Sequence, residues 1–244
     1  MKLGRVAEID VFLHWTFVFA PLALILQSWY RQQSIAMTGM LLVLLACVFG
    51  CVLLHEFGHA FAAKLFGVKT KDIILTPIGG LARLMSMPKR PLEEFVITIA
   101  GPLVNLVIAG VAGLGLFAVG RSFALDGPVS FADLLLFVFY INLFLFLFNL
   151  IPAFPMDGGR ILRATLASFL KFQTATLIAG AVGQVLAVAL IVYGLFEGMY
   201  SLPVVGVFVF IAASAEISSN QMPKEPGSSV DEENNNSSTT MGGE

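Results

Sequence analysis

The segment from residue 55 to 59 carries the side chains with the clearest chemical potential. It consists of His55-Glu56-Phe57-Gly58-His59 and fits the pattern H-E-x-x-H. Residues four apart lie on one face of an α-helix, so both imidazoles can bind one Zn²⁺, with the intervening glutamate next to the metal. The chain has only three histidines, and two of them are in this motif. The alternative is a polar cluster that hydrogen-bonds between helices.

The composition around this motif is that of a membrane protein. Hydrophobic residues make up 57% of the 244 residues and charged residues only 12%, whereas soluble domains carry about 25% charged residues. This excludes a water-soluble globule. The net charge of −2 excludes a dominantly basic nucleic-acid binder, and two cysteines cannot build a disulfide framework.

Six segments are long and apolar enough to be membrane-spanning helices, which need about 20 residues each. Because lipid offers no partners for open backbone groups, we predict an all-α membrane protein, a bundle of six transmembrane helices. The predicted spans are residues 11–30, 35–63, 95–120, 134–156, 172–196 and 198–215. Only the second contains a charged residue, Glu56, and an ionisable group inside a span indicates a functional site.

The remaining segments are predicted from their composition. Residues 73–84, after the second span, are predicted to form a short membrane-associated strand or hairpin, because Pro77, Gly79 and Gly80 interrupt any helix. Residues 1–217 are predicted to form one transmembrane domain. Residues 218–244 are rich in Ser, Asn, Gly, Glu and Thr and are predicted to be a disordered tail.

The charges in the loops predict the orientation in the membrane. Of the 14 Lys and Arg residues, two lie on the far side of the predicted bundle, Arg31 and Arg121, and the other twelve share a side with the N-terminus. Positive residues are in excess in cytoplasmic loops, so we predict a multi-pass protein of the cell membrane with both termini, and the tail, in the cytoplasm. The twelve are Lys2, Arg5, Lys64, Lys69, Lys71, Arg83, Lys89, Arg90, Arg160, Arg163, Lys171 and Lys224.

A zinc site needs a third protein ligand, and Asp157 is the best candidate. Pro152 and Pro155 end the helix before it, so the chain can turn back toward the bundle. The second and fourth spans both end on the cytoplasmic side, which places Asp157 in the same half of the membrane as the two histidines. The alternative is that Asp157 is the N-cap of a helix that starts near Gly158, paired with Arg160.

Together these motifs resemble those of the site-2 protease family of intramembrane zinc metalloproteases, over most of residues 1–217. The resemblance implies that His55, His59 and Asp157 bind one zinc ion per chain, that Glu56 acts in catalysis and that Asn149 holds substrate near the site. Some members carry PDZ or CBS domains, and a short form without them is expected here. The matching elements are H-E-x-x-H at 55–59, Gly101-Pro102-x-x-Asn105, Asn149-x-x-Pro152 and Asp157-Gly158.

Two asparagines of these motifs could have structural roles. Asn149 lies in an apolar run, and its amide could donate to a developing oxyanion or a substrate carbonyl, or could form a hydrogen bond between helices. Asn105 is expected mainly to pack the bundle, with Gly101 allowing close approach of a neighbouring helix.

Other positions are weaker candidates. His14 is expected to be an interfacial residue beside Trp15; the alternative is a group near the water path or the substrate gate. Cys51 is expected to be a small core residue with no ligand role. Gly79-Gly80 is either a plain turn or part of a strand edge that could pair with an unwound substrate.

The sequence therefore predicts an enzyme, a zinc-dependent metalloendopeptidase that cuts transmembrane segments of membrane proteins in the lipid bilayer, as in regulated intramembrane proteolysis. Two alternatives remain: a membrane protein that handles metals or ions, and a catalytically idle scaffold that binds transmembrane partners. Glu56 favours the protease, since a carrier site has no need of it. No pattern in the sequence indicates the substrate, the cleavage site, the activating signal or the oligomeric state.

Overall fold

A computed structural model describes residues 1–77, 79–86, 88, 90–120 and 131–219. Seven α-helices, one short 3-10 helix and a four-stranded sheet make up this part of the chain. In chain order they are β1 (Lys2–Val6), β2 (Ile9–Leu13), the 3-10 helix (Trp15–Val18), α1 (Phe19–Tyr30), α2 (Ile35–Leu65), β3 (Thr70–Thr76), β4 (Gly79–Leu84), α3 (Pro91–Ala118), α4 (Phe131–Asn149), α5 (Asp157–Ala167), α6 (Phe172–Phe196) and α7 (Ser201–Ser219).

Four helices, α2, α3, α6 and α7, are long and apolar enough to cross a bilayer. The longest, α2, has 31 residues and measures about 46 Å at 1.5 Å per residue, against about 30 Å of hydrocarbon. Ser34 caps its N-terminus by accepting a hydrogen bond from the Met37 N–H, 3.2 Å. These four helices correspond to the second, third, fifth and sixth predicted spans.

The first and fourth predicted spans differ from the structure. Residues 9–13 form strand β2 instead of beginning a helix, because their backbone pairs in parallel with residues 72–75 of β3. The helix that follows, α1, has only 12 residues, about 18 Å. The fourth helix, α4, stops at Asn149, seven residues before the predicted end, because the next segment contains Pro152 and Pro155. Within the described ranges, these two spans are shorter apolar helices.

The predicted hairpin at residues 73–84 is confirmed as β3 and β4, but the sheet is larger than predicted. Its strand order is β1-β2-β3-β4, with β2 and β3 parallel and the other pairs antiparallel. One face packs on α2, where Val11 and Ile73 contact Phe57 and Ala60. The fold is therefore mostly helical with a small sheet, and the all-α prediction missed the N-terminal strands.

A buried cluster of charges connects three helices. Arg163 of α5 is 4% exposed. Its Nε donates to Glu94 Oε1 of α3 at 3.0 Å, and its guanidinium also pairs with Glu216 of α7. The rings of Phe154 and Phe172 lie 5.3 and 5.0 Å from the guanidinium carbon. We call Arg163, Glu94 and Glu216 the Arg163 ion triad.

The predicted domain boundary falls inside the last helix. The helix α7 continues to Ser219, two residues beyond residue 217. Residues 220–244 of the predicted tail lie outside the described residues.

Candidate metal centre

The two histidines of the motif lie together on the face of α2 that packs on α3. Their Nε2 atoms are 3.0 Å apart, and His55 is 6% exposed. The neighbouring residue of α3 is Gly101, where a Cβ would lie 2.3 Å from His59 Nε2 and 2.8 Å from His55 Nε2. Only glycine leaves room for both rings at this crossing.

The outer ring nitrogens of both histidines have acceptors. His59 Nδ1 lies 2.9 Å from the Ile97 carbonyl oxygen, and His55 Nδ1 lies 2.6 Å from Asn105 Oδ1. A carbonyl oxygen can only accept, so each Nδ1 carries the proton and donates. Each Nε2 then offers a lone pair, which is the form in which imidazole binds a metal.

Asp157 reaches the histidines because the chain reverses direction after α4. Gly158 and Gly159 pack against the backbone of the preceding loop, where a Cβ on Gly158 would lie 2.2 Å from the Ile151 carbonyl oxygen. Asp157 Oδ2 lies 3.1 Å from His55 Nε2 and 3.3 Å from His59 Nε2. The N-cap of α5 is Met156 and Asp157 is the first residue of the helix, so Asp157 does not occupy the N-cap position.

These three atoms form a set of donors that suits a metal ion. They lie within 4.8 Å of one another, and Asp157 Oδ2 is buried with no hydrogen-bond donor. Two lone pairs and a carboxylate oxygen repel one another unless a cation lies between them. Around a tetrahedral zinc with bonds of about 2.0 Å, neighbouring ligand atoms lie about 3.3 Å apart, close to the three distances found here. The residues therefore fit zinc.

Glu56 lies beside this cluster under strand β4. It is 8% exposed, and its Oε2 accepts a hydrogen bond from the Ala82 N–H at 2.9 Å. Gly80 packs directly on it, since a Cβ there would lie 2.5 Å from Glu56 Cγ. The predicted Gly79-Gly80 element is thus the start of a strand that covers the glutamate. Gly79 has a φ of 151°, a conformation that favours glycine.

The cluster, Glu56 and Asn149 line a cavity of about 140 Å³. The Asn149 amide donates one hydrogen bond to the Leu145 carbonyl oxygen of its own helix, 2.9 Å. A neighbouring cavity of about 390 Å³ shares Thr98 and Arg160 with the first and extends to the Arg163 ion triad. Polar groups therefore continue from the cluster toward the ends of α3, α5 and α7.

His14 lies apart from the cluster. It is exposed, caps the 3-10 helix, and its Nδ1 lies 2.7 Å from Thr16 Oγ1. Its ring also contacts Trp15, with centroids 5.9 Å apart. The described residues that line the cavity do not include it.

Asn105 does more than pack the bundle, because it touches His55. Its amide also donates to Asn142 Oδ1 at 2.8 Å, and Asn142 Nδ2 lies 3.1 Å from Cys51 Sγ. Sequence reasoning missed Asn142. The available signal was one amide inside the otherwise apolar run of residues 134–148.

The fold combines long apolar helices with a cluster of three candidate metal ligands, two of which lie on an H-E-x-x-H helix. The chain belongs to peptidase family M50, whose family model matches residues 43–125 and 123–193.

Individual relatives agree with this assignment and confirm the resemblance to site-2 proteases. A zinc metalloprotease of Methanocaldococcus jannaschii is 39% identical over 216 residues, which cover 88% of this chain and 60% of that protein. Stage IV sporulation protein FB of Bacillus subtilis is 36% identical over 140 residues, 57% of this chain and 45% of that protein. The solved structure of a site-2 protease from M. jannaschii is 36% identical with a TM-score of 0.62, covering 89% of this chain and 94% of that one. The chain thus spans less than two thirds of both curated relatives.

Proposed function

We propose that the chain is a zinc-dependent intramembrane endopeptidase that hydrolyses peptide bonds within transmembrane segments of other membrane proteins. The observation that carries the proposal is the meeting of His55 Nε2, His59 Nε2 and Asp157 Oδ2 beside the buried carboxylate of Glu56. The names of the relatives support the same activity. We assign the three atoms to one zinc ion per chain.

When bound, zinc supplies Lewis-acid polarisation of the scissile carbonyl and lowers the pKa of the attacking water. Glu56 is the general base. The Ala82 N–H holds Oε2, so Oε1 takes the proton from the water and later delivers it to the leaving amine nitrogen. The Asn149 side-chain amide donates one N–H to the Leu145 carbonyl oxygen. Its second N–H is available to donate to the oxyanion of the substrate.

Strand β4 is the proposed support for the substrate. The Ala82 N–H points to Glu56 rather than to β3, so this edge of β4 faces the cluster. A transmembrane helix must unwind before cleavage, because its peptide groups are hydrogen-bonded to one another. An extended substrate pairing with the β4 edge would be held within reach of Glu56.

We further propose six spans, with the shorter apolar helices α1 and α4 as the first and fourth, and with both termini in the cytoplasm. The loop charges support this orientation. His59 lies six residues before the end of α2, about 9 Å from the helix end, so water reaches the cluster from the cytoplasmic side. In a form lacking the native cysteines, an Arg31→Cys label should react from outside the cell, while Lys171→Cys should not. The opposite labelling would overturn the orientation.

The test of the activity is a comparison of Glu56→Gln with the parent, each purified and mixed with a panel of single-span substrates in vesicles. The variant keeps the size of the side chain but cannot take a proton, so cleavage should fall by about 10²–10⁴-fold with zinc content unchanged. Glu197→Gln is the matched control, because Glu197 is exposed at the end of α6. Cleavage by Glu56→Gln within a few-fold of the parent would contradict the mechanism.

The ligand assignment has its own test. His55→Ala, His59→Ala and Asp157→Ala should each lose zinc and activity together. Stoichiometric zinc in a variant that lacks both histidines would place the metal elsewhere.

A further inference from the structure

Two buried amides, on α3 and α4, form a line of hydrogen bonds that ends at one histidine of the cluster, on α2. Asn105 of α3 and Asn142 of α4 are both 0% exposed. Asn142 Nδ2 donates to the Val138 carbonyl oxygen at 2.8 Å, Asn105 Nδ2 donates to Asn142 Oδ1 at 2.8 Å, and His55 Nδ1 meets Asn105 Oδ1 at 2.6 Å. We call these two asparagines the amide relay.

The direction of the relay is fixed at its far end. The Val138 carbonyl can only accept, so Asn142 must present its NH₂ group to it. Asn142 Oδ1 then faces Asn105 and requires a donor, which is the NH₂ group of Asn105. The oxygen of Asn105 is left for His55, so His55 must donate from Nδ1 and keep its lone pair on Nε2. Reversing either amide would place two donors or two acceptors against each other.

We propose that Asn142 and Asn105 are positioning residues that set the tautomer and ring orientation of His55 for zinc binding. The inference rests on the proposed zinc site. Metal-binding histidines usually donate their second ring nitrogen to an acceptor, and loss of that acceptor typically costs 10–100-fold in metal affinity or activity.

The two histidines differ in a way that makes the relay testable. The acceptor of His59 is a backbone carbonyl, that of Ile97, which no substitution removes. The acceptor of His55 is a side chain. A substitution can therefore remove the hydrogen-bond acceptor of His55 but not that of His59. Asn142 is proposed to influence the zinc site through its hydrogen bond with Asn105.

The experiment measures zinc affinity by chelator competition on the detergent-purified full chain, with the unfolding temperature of the zinc-free form measured alongside. Asn105→Leu should weaken zinc binding by about 10–100-fold, and Asn142→Leu by about tenfold. Asn105→Asp should lose less zinc affinity than Asn105→Leu, because a carboxylate still accepts from His55 although it no longer donates to Asn142 Oδ1. The Co²⁺ absorption spectrum should change in both Leu variants and be preserved in Asn105→Asp.

The matched control is Gln184→Leu, which removes a different interhelical amide bond, from Gln184 Nε2 to Ser214 Oγ at 2.9 Å. It should lower the unfolding temperature without changing zinc affinity. If Asn142→Leu does not accumulate, Asn142→Ala, which likewise leaves Asn105 Nδ2 without its acceptor, replaces it with the same expected loss.

Three results would overturn the inference. One is zinc affinity within about twofold of the parent in Asn105→Leu or in the Asn142 variant. Another is an equal loss in Gln184→Leu at an equal drop in unfolding temperature, which would assign the relay a merely structural role. A parent that binds no zinc would overturn the proposed function as well, whereas a parent that binds zinc and cleaves substrate would confine the failure to the relay.

Discussion

Replacing Gly101 with Ala should remove zinc binding while the helices remain folded. The new Cβ would lie 2.3 Å from His59 Nε2, whereas ordinary van der Waals contact begins at 3.4 Å. The imidazole would therefore have to retreat by 3.4 − 2.3 = 1.1 Å. Metal–ligand distances tolerate deviations of only about 0.2 Å, so a retreat of this size removes a ligand.

The rings have little freedom to adapt to the added methyl group. His59 is held by the Ile97 carbonyl and His55 by Asn105, so a movement of either ring breaks a buried hydrogen bond. We expect a loss of zinc affinity at least as large as the 10–100-fold that follows removal of a supporting group.

The control is Gly110→Ala in the same helix, where a Cβ meets nothing within 4 Å. This change should retain zinc and stabilise α3 slightly, by up to about 1 kcal/mol. Zinc per chain and zinc affinity are measured on both variants, with unfolding temperatures of the metal-free forms. A Gly101→Ala variant that binds one zinc with the affinity of the parent would refute the crowding of the ligands. An equal loss of zinc affinity in Gly101→Ala and Gly110→Ala would show that the effect is not specific to the crowded position.

Three further outcomes are expected. Gly80→Val should push on Glu56, whose Cγ would lie 2.5 Å from the new Cβ, and cleavage should fall by about 10²-fold at unchanged zinc content; parallel loss of zinc would contradict this. Asp72→Asn should lower the unfolding temperature at pH 7, because hydrogen bonds from Arg83 lower the pKa of Asp72. That stabilisation is present above about pH 4 and is lost as the pH falls further, so the difference between Asp72→Asn and the parent should shrink in acid; a constant difference would exclude the ion pair as its cause. Arg163→Met should destabilise the fold by about 3 kcal/mol, since it removes the buried guanidinium that pairs with Glu94 and Glu216, and an unchanged unfolding temperature would show the triad to be dispensable.

Local rules sufficed for the parts of the site that lie close together in sequence. Helical spacing alone places His55 and His59 on one face, and the structure brings their Nε2 atoms to 3.0 Å. The interruptions at Pro77, Gly79 and Gly80 predicted the hairpin that covers Glu56. The position of Asp157 could not be predicted from local rules alone. Its approach to the histidines depends on a chain reversal that the prolines permit but do not specify.

Features that depend on distant partners were missed. Residues 11–13 belong to an apolar run of spanning length, so length argued for a helix. Their partner strand, β3, begins at Thr70. No local sequence pattern predicts that two segments about 60 residues apart in the chain will pair. Asn142 was missed for the same reason, since its role depends on Asn105 in another helix.

The pattern of hydrogen bonds around the cluster explains why a polar site can persist among apolar helices. A buried polar group without a partner is costly in lipid, and here Glu56 has the Ala82 N–H while each histidine has an acceptor. Within the described ranges, three buried side-chain atoms lack a hydrogen bond, and two of them, on Asp10 and Thr70, are in the sheet. The third is Asp157 Oδ2, the atom that faces both Nε2 lone pairs. Among the helices that the structure describes, the one buried side-chain atom left without a donor is the one that a metal ion would satisfy, so the surrounding hydrogen bonds favour the proposed ligand set as much as the H-E-x-x-H spacing does.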